Sequence, residues 1–218
     1  MLAPRLPAAY ITSMSVVLAI DTAAPRLQLA LWREPDRVDI LVEDMATGQA
    51  ERLFPALAEL LTGARLAYAD LTRIATTTGP GSFTGLRIGL SAARGLALAL
   101  GIPVLGIPSL FALSLAARCN AVAVLLDARR NEAYFQTFSG PGIPIGPPAL
   151  LSMDDARNRV PVGAETLTSP YVDIAALARF AATADPALYP PEASYIRDAD
   201  AKPQEKFRIA RAPGDLPA

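Results

Sequence analysis

Two stretches of this chain follow one pattern. VVLAIDTAAPRLQLALW begins at Val16, and VAVLLDARRNEAYFQTF begins at Val122. Each reads as an aliphatic strand, an aspartate, a polar turn and a returning strand. The first strands, 16–20 and 121–126, lack polar alternation, as a strand covered on both faces does. Asp21 and Asp127 close them, and the returning strands are 27–32 and 133–138. A unit that occurs twice predicts two lobes of related topology. The plainer alternative is that any two hairpins share this outline. With 218 residues, 52% of them hydrophobic, the chain can bury one large core or two small ones.

The intervening segments read as helices and further strands. Residues 37–42 are a weaker third strand. Over 49–61 the apolar residues Leu53, Phe54, Leu57, Leu60 and Leu61 fall on one helical stripe, with Glu51, Arg52 and Glu59 off it. Gly63 is the expected helix stop. A strand is predicted at 71–78, a glycine turn at 79–85 and a long helix at 86–100, ended by Gly101 and Pro103. The glycines and prolines of 140–148 require an irregular loop. A short acidic-led helix near 153–159, a strand at 159–162 and an Ala-rich helix at 174–184 complete the pattern. The expected division is a first lobe at 14–106 and a shorter second lobe at 107–199. Residues 1–13 and 200–218 form a leader and a charged tail expected to be partly disordered. Pro4 and Pro7 interrupt the opening segment, which argues against a signal peptide, and Met14 is an alternative start.

Composition removes several function classes. The chain has no histidine, so a Ser-His-Asp triad, a Cys-His pair and an HExxH zinc site cannot be built. Twenty basic residues against 21 acidic ones leave a net charge of −1. That balance lacks the basic excess of a sequence-independent nucleic-acid binder, so contact with RNA would need a local patch or a partner. The single cysteine, Cys119, precludes an internal disulfide and fits a reducing compartment. It reads as a small buried residue. No run of about 18 uninterrupted apolar residues is present. A cytoplasmic protein without membrane contact is the expectation.

The most distinctive run is TTTGPGSFTGLRIG, residues 76–89. Its glycines allow tight backbone turns, and Ser82 and Thr84 can cap the following helix. Unpaired N–H groups at such a start can also hold an anion. Gly81, Ser82, Thr84 and Arg87 are therefore candidate anion contacts, although the structural reading is the stronger. The run is not a P-loop, because no Lys-Ser/Thr follows the last glycine. Nor is it a G-x-S-x-G elbow.

The helix after it is apolar nearly all round, with Arg87, Ser91 and Arg94 as its polar residues and no acidic one. Such a helix should be covered on more than one side. The expectation is a partner interface built from this helix and the 49–61 helix. It would comprise Leu53, Phe54, Leu57, Leu60 and Leu61 with Leu86, Gly89, Leu90, Ala93 and Ala97. Complete burial within the chain is the alternative.

GPGSFTGLRIG followed by AARGLA, GIPSL and DARRNEAYF resembles the TsaB (YeaZ) family, subunits of the bacterial machinery that attaches threonylcarbamoyl to adenosine in ANN-decoding tRNAs. AIDTA, AERLFPAL and SYIRDA add to the likeness, which is weakest between residues 140 and 184. The resemblance implies an α/β, actin/Hsp70-like (ASKHA) two-lobed fold, each lobe a mixed sheet flanked by helices. It implies a heterodimer with the catalytic subunit TsaD through the two first-lobe helices, and the ATPase TsaE in a larger complex. tRNA would be reached through that complex. Catalysis, ATP and metal are expected on the partners, with no cofactor bound by this chain alone. A homodimer of the free chain is a further expectation.

In ASKHA kinases, aspartates after the first strand of each lobe organise Mg-nucleotide. Asp21, with Thr22, and Asp127 occupy those places. The second turn, Ala128-Arg129-Arg130-Asn131-Glu132, lacks the glycines of a phosphate loop. Arg129 and Arg130 remain candidate anion contacts. The alternative function is a small-molecule kinase or ATPase of the same fold. A peptidase would need a nucleophile–base pair, and the only lysines, Lys202 and Lys206, lie in the tail. The segment Gly48-Gln49-Ala50-Glu51 departs from the family, in which many relatives carry a histidine there.

Overall fold

The computed structural model describes residues 14–194 and residue 196. Its centre is β1 (Val16–Asp21), in which every residue is buried. A five-stranded sheet forms around it, in the order β3-β2-β1-β4-β5. β2 (Arg26–Arg33) and β3 (Arg37–Asp44) add to one side as an antiparallel meander, and β4 (Arg73–Thr77) and β5 (Val104–Ile107) to the other in parallel. The second sheet repeats this plan in the order β8-β7-β6-β9. β6 (Val122–Arg129) pairs antiparallel with β7 (Glu132–Phe138) and parallel with β9 (Glu165–Leu167), while β8 (Ala149–Ser152) extends β7. The repeated hairpin of the sequence is thus a repeated sheet topology, and the α/β two-lobed architecture is the one expected.

Side-chain alternation sends each strand to two layers. Val16, Leu18 and Ile20 face α1 (Gln49–Ala64) and α2 (Phe83–Leu100), packing with Leu53, Leu57 and Ala93. Val17, Ala19, Ala30 and Ala75 face the opposite way, against α5 (Ile174–Thr183) with its Leu177, Ala178 and Ala181. Alanines on both sides let this helix approach the sheet closely. α3 (Ser109–Ser114) and the inner face of β6, through Val122, Val124 and Leu126, complete the same core. The outer face of the second sheet packs Ala123, Leu125 and Phe135 on Ala156 of α4 (Met153–Asn158).

Several boundaries differ from the sequence reading. Gly63 lies inside α1, which runs to Ala64 and ends at Arg65 in the left-handed region. Pro55 also sits within this helix, where it leaves one backbone bond unmade. No strand forms at 159–162: α4 ends at Asn158, and the parallel partner of β6 is β9. Pro161 has no N–H to give a ladder, and Gly163 takes a φ of 79°. The lobe boundary is also corrected. α5 follows the second sheet in sequence yet packs on β1 and β2 of the first. Arg73 of β4 anchors it, donating from Nη1 to the carbonyls of Ala181 and Ala184 at 2.6 Å each. The predicted leader and charged tail lie outside the described residues.

Beyond α5 the chain runs back over the first sheet. Gly106 donates its N–H to the Tyr189 carbonyl at 2.9 Å, and Ser194 donates to that of Thr78 at 2.8 Å. A Cβ on Gly106 would stand 2.5 Å from the Pro190 carbonyl oxygen and 2.6 Å from Pro191 Cα. Gly106→Ala is expected to displace this segment and cost about 1–3 kcal/mol, the usual penalty of overpacking. Urea denaturation of the variant against wild type measures it, and an unchanged midpoint would mean that the segment is loosely held.

Candidate functional site: an interlobe cleft and an outer helix groove

Two concavities flank the start of α2. The first is a cleft of about 440 Å³ between the lobes. Asp21, Gly81, Ser82, Asp127 and Arg129 line it with Ser109 and Thr168, among apolar walls that include Pro25, Pro80, Leu126 and Tyr134. Five of the nine predicted anion contacts therefore meet in one place. Thr22, Thr84, Arg87 and Arg130 are not among the lining. Thr22 is buried, and its hydroxyl donates to the Gly85 carbonyl at 2.6 Å. Thr84 and Arg87 belong to the other concavity, and Arg130 is exposed on the β6–β7 turn.

The cleft's polar groups are largely occupied by the fold. Asp21 is fully buried. It accepts from the Thr77 hydroxyl at 2.5 Å, from Gln28 Nε2 at 3.1 Å and from the Ala23 N–H at 3.2 Å. Burial pushes its pKa above the ordinary aspartate value, against the three hydrogen bonds that favour the ionised form. Its oxygens are thus committed inward and poorly placed to hold a metal–nucleotide. Among the described residues, no three His, Cys, Asp or Glu side chains cluster as a metal site would require. Asp127 is exposed, and its Oδ1 accepts from the Arg129 N–H at 2.7 Å. Arg129, Arg130 and Asn131 all take positive φ, at 66°, 54° and 60°. The second turn therefore adopts the sharp bend that glycines would ease, but with side chains in place.

The glycine motif is a steric interlock. Ser82 caps α2, its Oγ accepting from the Gly85 N–H at 3.2 Å, and its own N–H donates to the Ala23 carbonyl at 2.7 Å. These amides are consumed within the chain rather than turned to a ligand. Thr84 is not a cap, because it lies within the first turn of the helix and is exposed. A Cβ on Gly85 would fall 1.9 Å from the Thr22 carbonyl oxygen, and one on Gly89 would fall 2.8 Å from the Thr22 hydroxyl. The glycines let α2 press onto the end of β1.

The second concavity is an open groove of about 770 Å³ between the outer faces of α1 and α2. Ala50, Phe54, Phe83, Thr84, Arg87, Ile88, Ser91, Gly95, Leu96 and Ala99 line it, with Leu53 and Ala92 at its floor. Phe54 is 47% exposed, Phe83 55% and the neighbouring Leu98 86%. This corrects the predicted interface. Leu53, Leu57, Leu60, Leu61, Leu86, Gly89, Leu90, Ala93 and Ala97 are all buried within the chain, and of the ten predicted residues only Phe54 is exposed. The strongest apolar stripe of each helix is the one its own core takes. The outer residues Phe83, Ile88, Leu96 and Leu98 were missed; their signal was the apolar character remaining off that stripe. Cys119 is likewise corrected. It is exposed, in the turn before β6, where its N–H and that of Arg118 donate to Glu165 Oε2.

Two stability predictions follow from these placements. Leu57→Ala is expected to cost about 2–5 kcal/mol and Phe54→Ala less than about 1 kcal/mol, although they sit three residues apart on one helix. Equal losses in chemical denaturation would contradict the assignment of inner and outer faces. For Asp21, the raised pKa means that the folded form holds its proton more tightly than the unfolded form. That contribution to stability is fully present below the unfolded aspartate pKa. It is lost as pH rises through the higher folded value. Urea denaturation over a pH series should show Asp21→Asn lacking this fall; an identical slope would show that Asp21 does not contribute it.

Comparison with known proteins agrees with this architecture. Residues 42–141 match the family model described as TsaD, tRNA N6-adenosine threonylcarbamoyltransferase. An uncharacterised protein of Mycobacterium tuberculosis is 39% identical over 144 residues, 65% of this chain and 67% of that protein. The tRNA threonylcarbamoyladenosine biosynthesis protein TsaB of Escherichia coli is 35% identical over 126 residues, 56% of this chain and 54% of that protein. The chain thus spans about half the length of this curated TsaB relative. The structure of YeaZ from Pseudomonas aeruginosa superposes with a TM-score of 0.67 at 29% identity, covering 77% of this chain and 91% of that one. Glycine interlock, paired hairpin lobes and these similarities together place the chain in the TsaB/YeaZ family.

Proposed function

We propose that the chain is a non-catalytic accessory subunit in the formation of threonylcarbamoyladenosine on ANN-decoding tRNAs. In this reading it docks on a TsaD-type catalytic subunit through the α1–α2 groove, and a TsaE-type ATPase joins a larger assembly. ATP and metal sit on those partners, and tRNA is reached through the complex in the cytoplasm. The observation that supports this most is the groove itself. An apolar surface with two half-exposed phenylalanines is what a soluble protein presents to a partner. α2 is the one described helix long and apolar enough to cross a bilayer. Here its inner face is packed on the first lobe's core through Ala92, Ala93 and Ala97. In the absence of the partner, the same groove would support a homodimer.

The second reading, a small-molecule kinase or ATPase, would use the interlobe cleft. Its weakness lies in Asp21, which is buried and whose carboxyl oxygens already accept from Thr77, Gln28 and Ala23. The test is co-purification with the TsaD-type subunit of the same organism, with tRNA and ATP present. Wild type is expected to co-elute, and a Phe54→Glu, Leu98→Glu variant to lose about 100-fold or more in affinity, because two carboxylates would be buried in an apolar contact. Both positions are exposed, so the variant should still fold. Failure of wild type to bind would sink the accessory role, and steady ATP turnover by the chain alone would favour the kinase.

A further inference from the structure

Among the described residues, the groove lining contains one ionisable side chain, Arg87, and no carboxylate. Arg87 is exposed, and its guanidinium carbon lies 3.7 Å from the centre of the Phe83 ring. This stacking holds the planar fork at the groove lip rather than leaving it to roam in solvent. Among the described residues it has no ion-pair partner. None is available on its own helix, since all 18 residues of α2 lack an acidic side chain. Arg33 of β2 and Arg52 of α1 behave differently. Arg33 pairs with Asp39, and Arg52 with both Glu43 and Glu59. Among the described residues, Arg87 is thus a cation presented without an ion-pair partner on a surface that is otherwise uncharged and mostly apolar.

Covering this groove would strip water from the guanidinium, and a buried unpaired charge opposes association strongly. The covering surface must therefore supply the missing anion. We infer that the partner subunit presents an aspartate or glutamate that engages Arg87 through paired hydrogen bonds at the edge of an apolar contact. This inference rests on the accessory-subunit reading and deepens it by specifying the partner's chemistry. The bond would be bidentate, since the stacked guanidinium exposes its forked edge. Beside it, Ser91, Gly95 and Ala99 recur at four-residue intervals along the groove and leave room for a partner helix to approach. The lone charge also disfavours a second copy as the final occupant. An isologous contact presses a patch against its own copy. Groove against groove would then bring Arg87 towards a surface equally devoid of carboxylates.

The experiment measures binding to the TsaD-type subunit by calorimetry for wild type, Arg87→Lys, Arg87→Gln, Arg87→Glu and Phe54→Glu. Arg87→Gln is expected to weaken binding about 30-fold or more, and Arg87→Glu further. Arg87→Lys should retain part of the affinity, because it keeps the charge but loses the fork. Changing the partner's exposed carboxylates to lysine one at a time should reveal one that restores binding to Arg87→Glu. Thermal melts of each variant alone check that folding is intact, as expected at an exposed position. If Phe54→Glu abolishes binding while Arg87→Glu binds within about twofold of wild type, the accessory role stands and the carboxylate inference falls. If wild type itself does not bind, both fall together.

Discussion

Strand β1 has no exposed side chain, and the rest of the molecule is arranged to cover it. Its larger residues, Leu18 and Ile20, take two amphipathic helices on one face. Its smaller ones, Val17 and Ala19, take an alanine-rich helix on the other. Burial of such a strand removes roughly 1.5–3 kcal/mol of unfavourable hydration for each large aliphatic side chain. It also requires every flanking backbone group to be paired, which the neighbours β2 and β4 achieve. Because α5 comes from late in the chain, this coverage binds the two halves of the sequence into one core. Both helices of the groove owe their orientation to the same strand, since their inner stripes must meet it.

The fold was legible where a residue pattern had one structural solution. The two aliphatic runs ending in Asp21 and Asp127 specify hairpins, and the structure extends each hairpin with a parallel neighbour in the same place. Gly101 reads correctly as the stop of α2, with φ of 67°. Gly63 does not stop α1, because nothing in one residue distinguishes a helical glycine from a terminal one. Helix α5 is recognisable by composition, but composition does not reveal which sheet it will cover. Arg73, 108 residues before Ala181, provides that answer through a hydrogen bond no local pattern encodes.

The candidate site was legible in part for a related reason. Helical periodicity identifies the most apolar stripe, and that stripe is claimed first by the chain's own sheet. Leu57 and Leu90 thus satisfy the pattern of an interface while serving the core. The surface proposed for a partner is what remains: Phe54, Phe83 and Leu98 outside, small residues between them. The cleft residues were identified by their position after strands, which is a topological signal and survives folding well. What position alone could not disclose is that Asp21 spends its hydrogen-bonding capacity on Thr77, Gln28 and Ala23.

Ser82 lines the cleft, and the next residue, Phe83, lines the groove. Immediately beyond them, Gly85 and Gly89 are wedged against Thr22 with no room for a methyl group. Helix α2 is accordingly a beam pinned near one end. It can neither slide nor turn about its axis without driving backbone into the tip of β1. The two concavities therefore share one mechanical reference, and their spacing is a property of the covalent chain rather than of any adjustable contact.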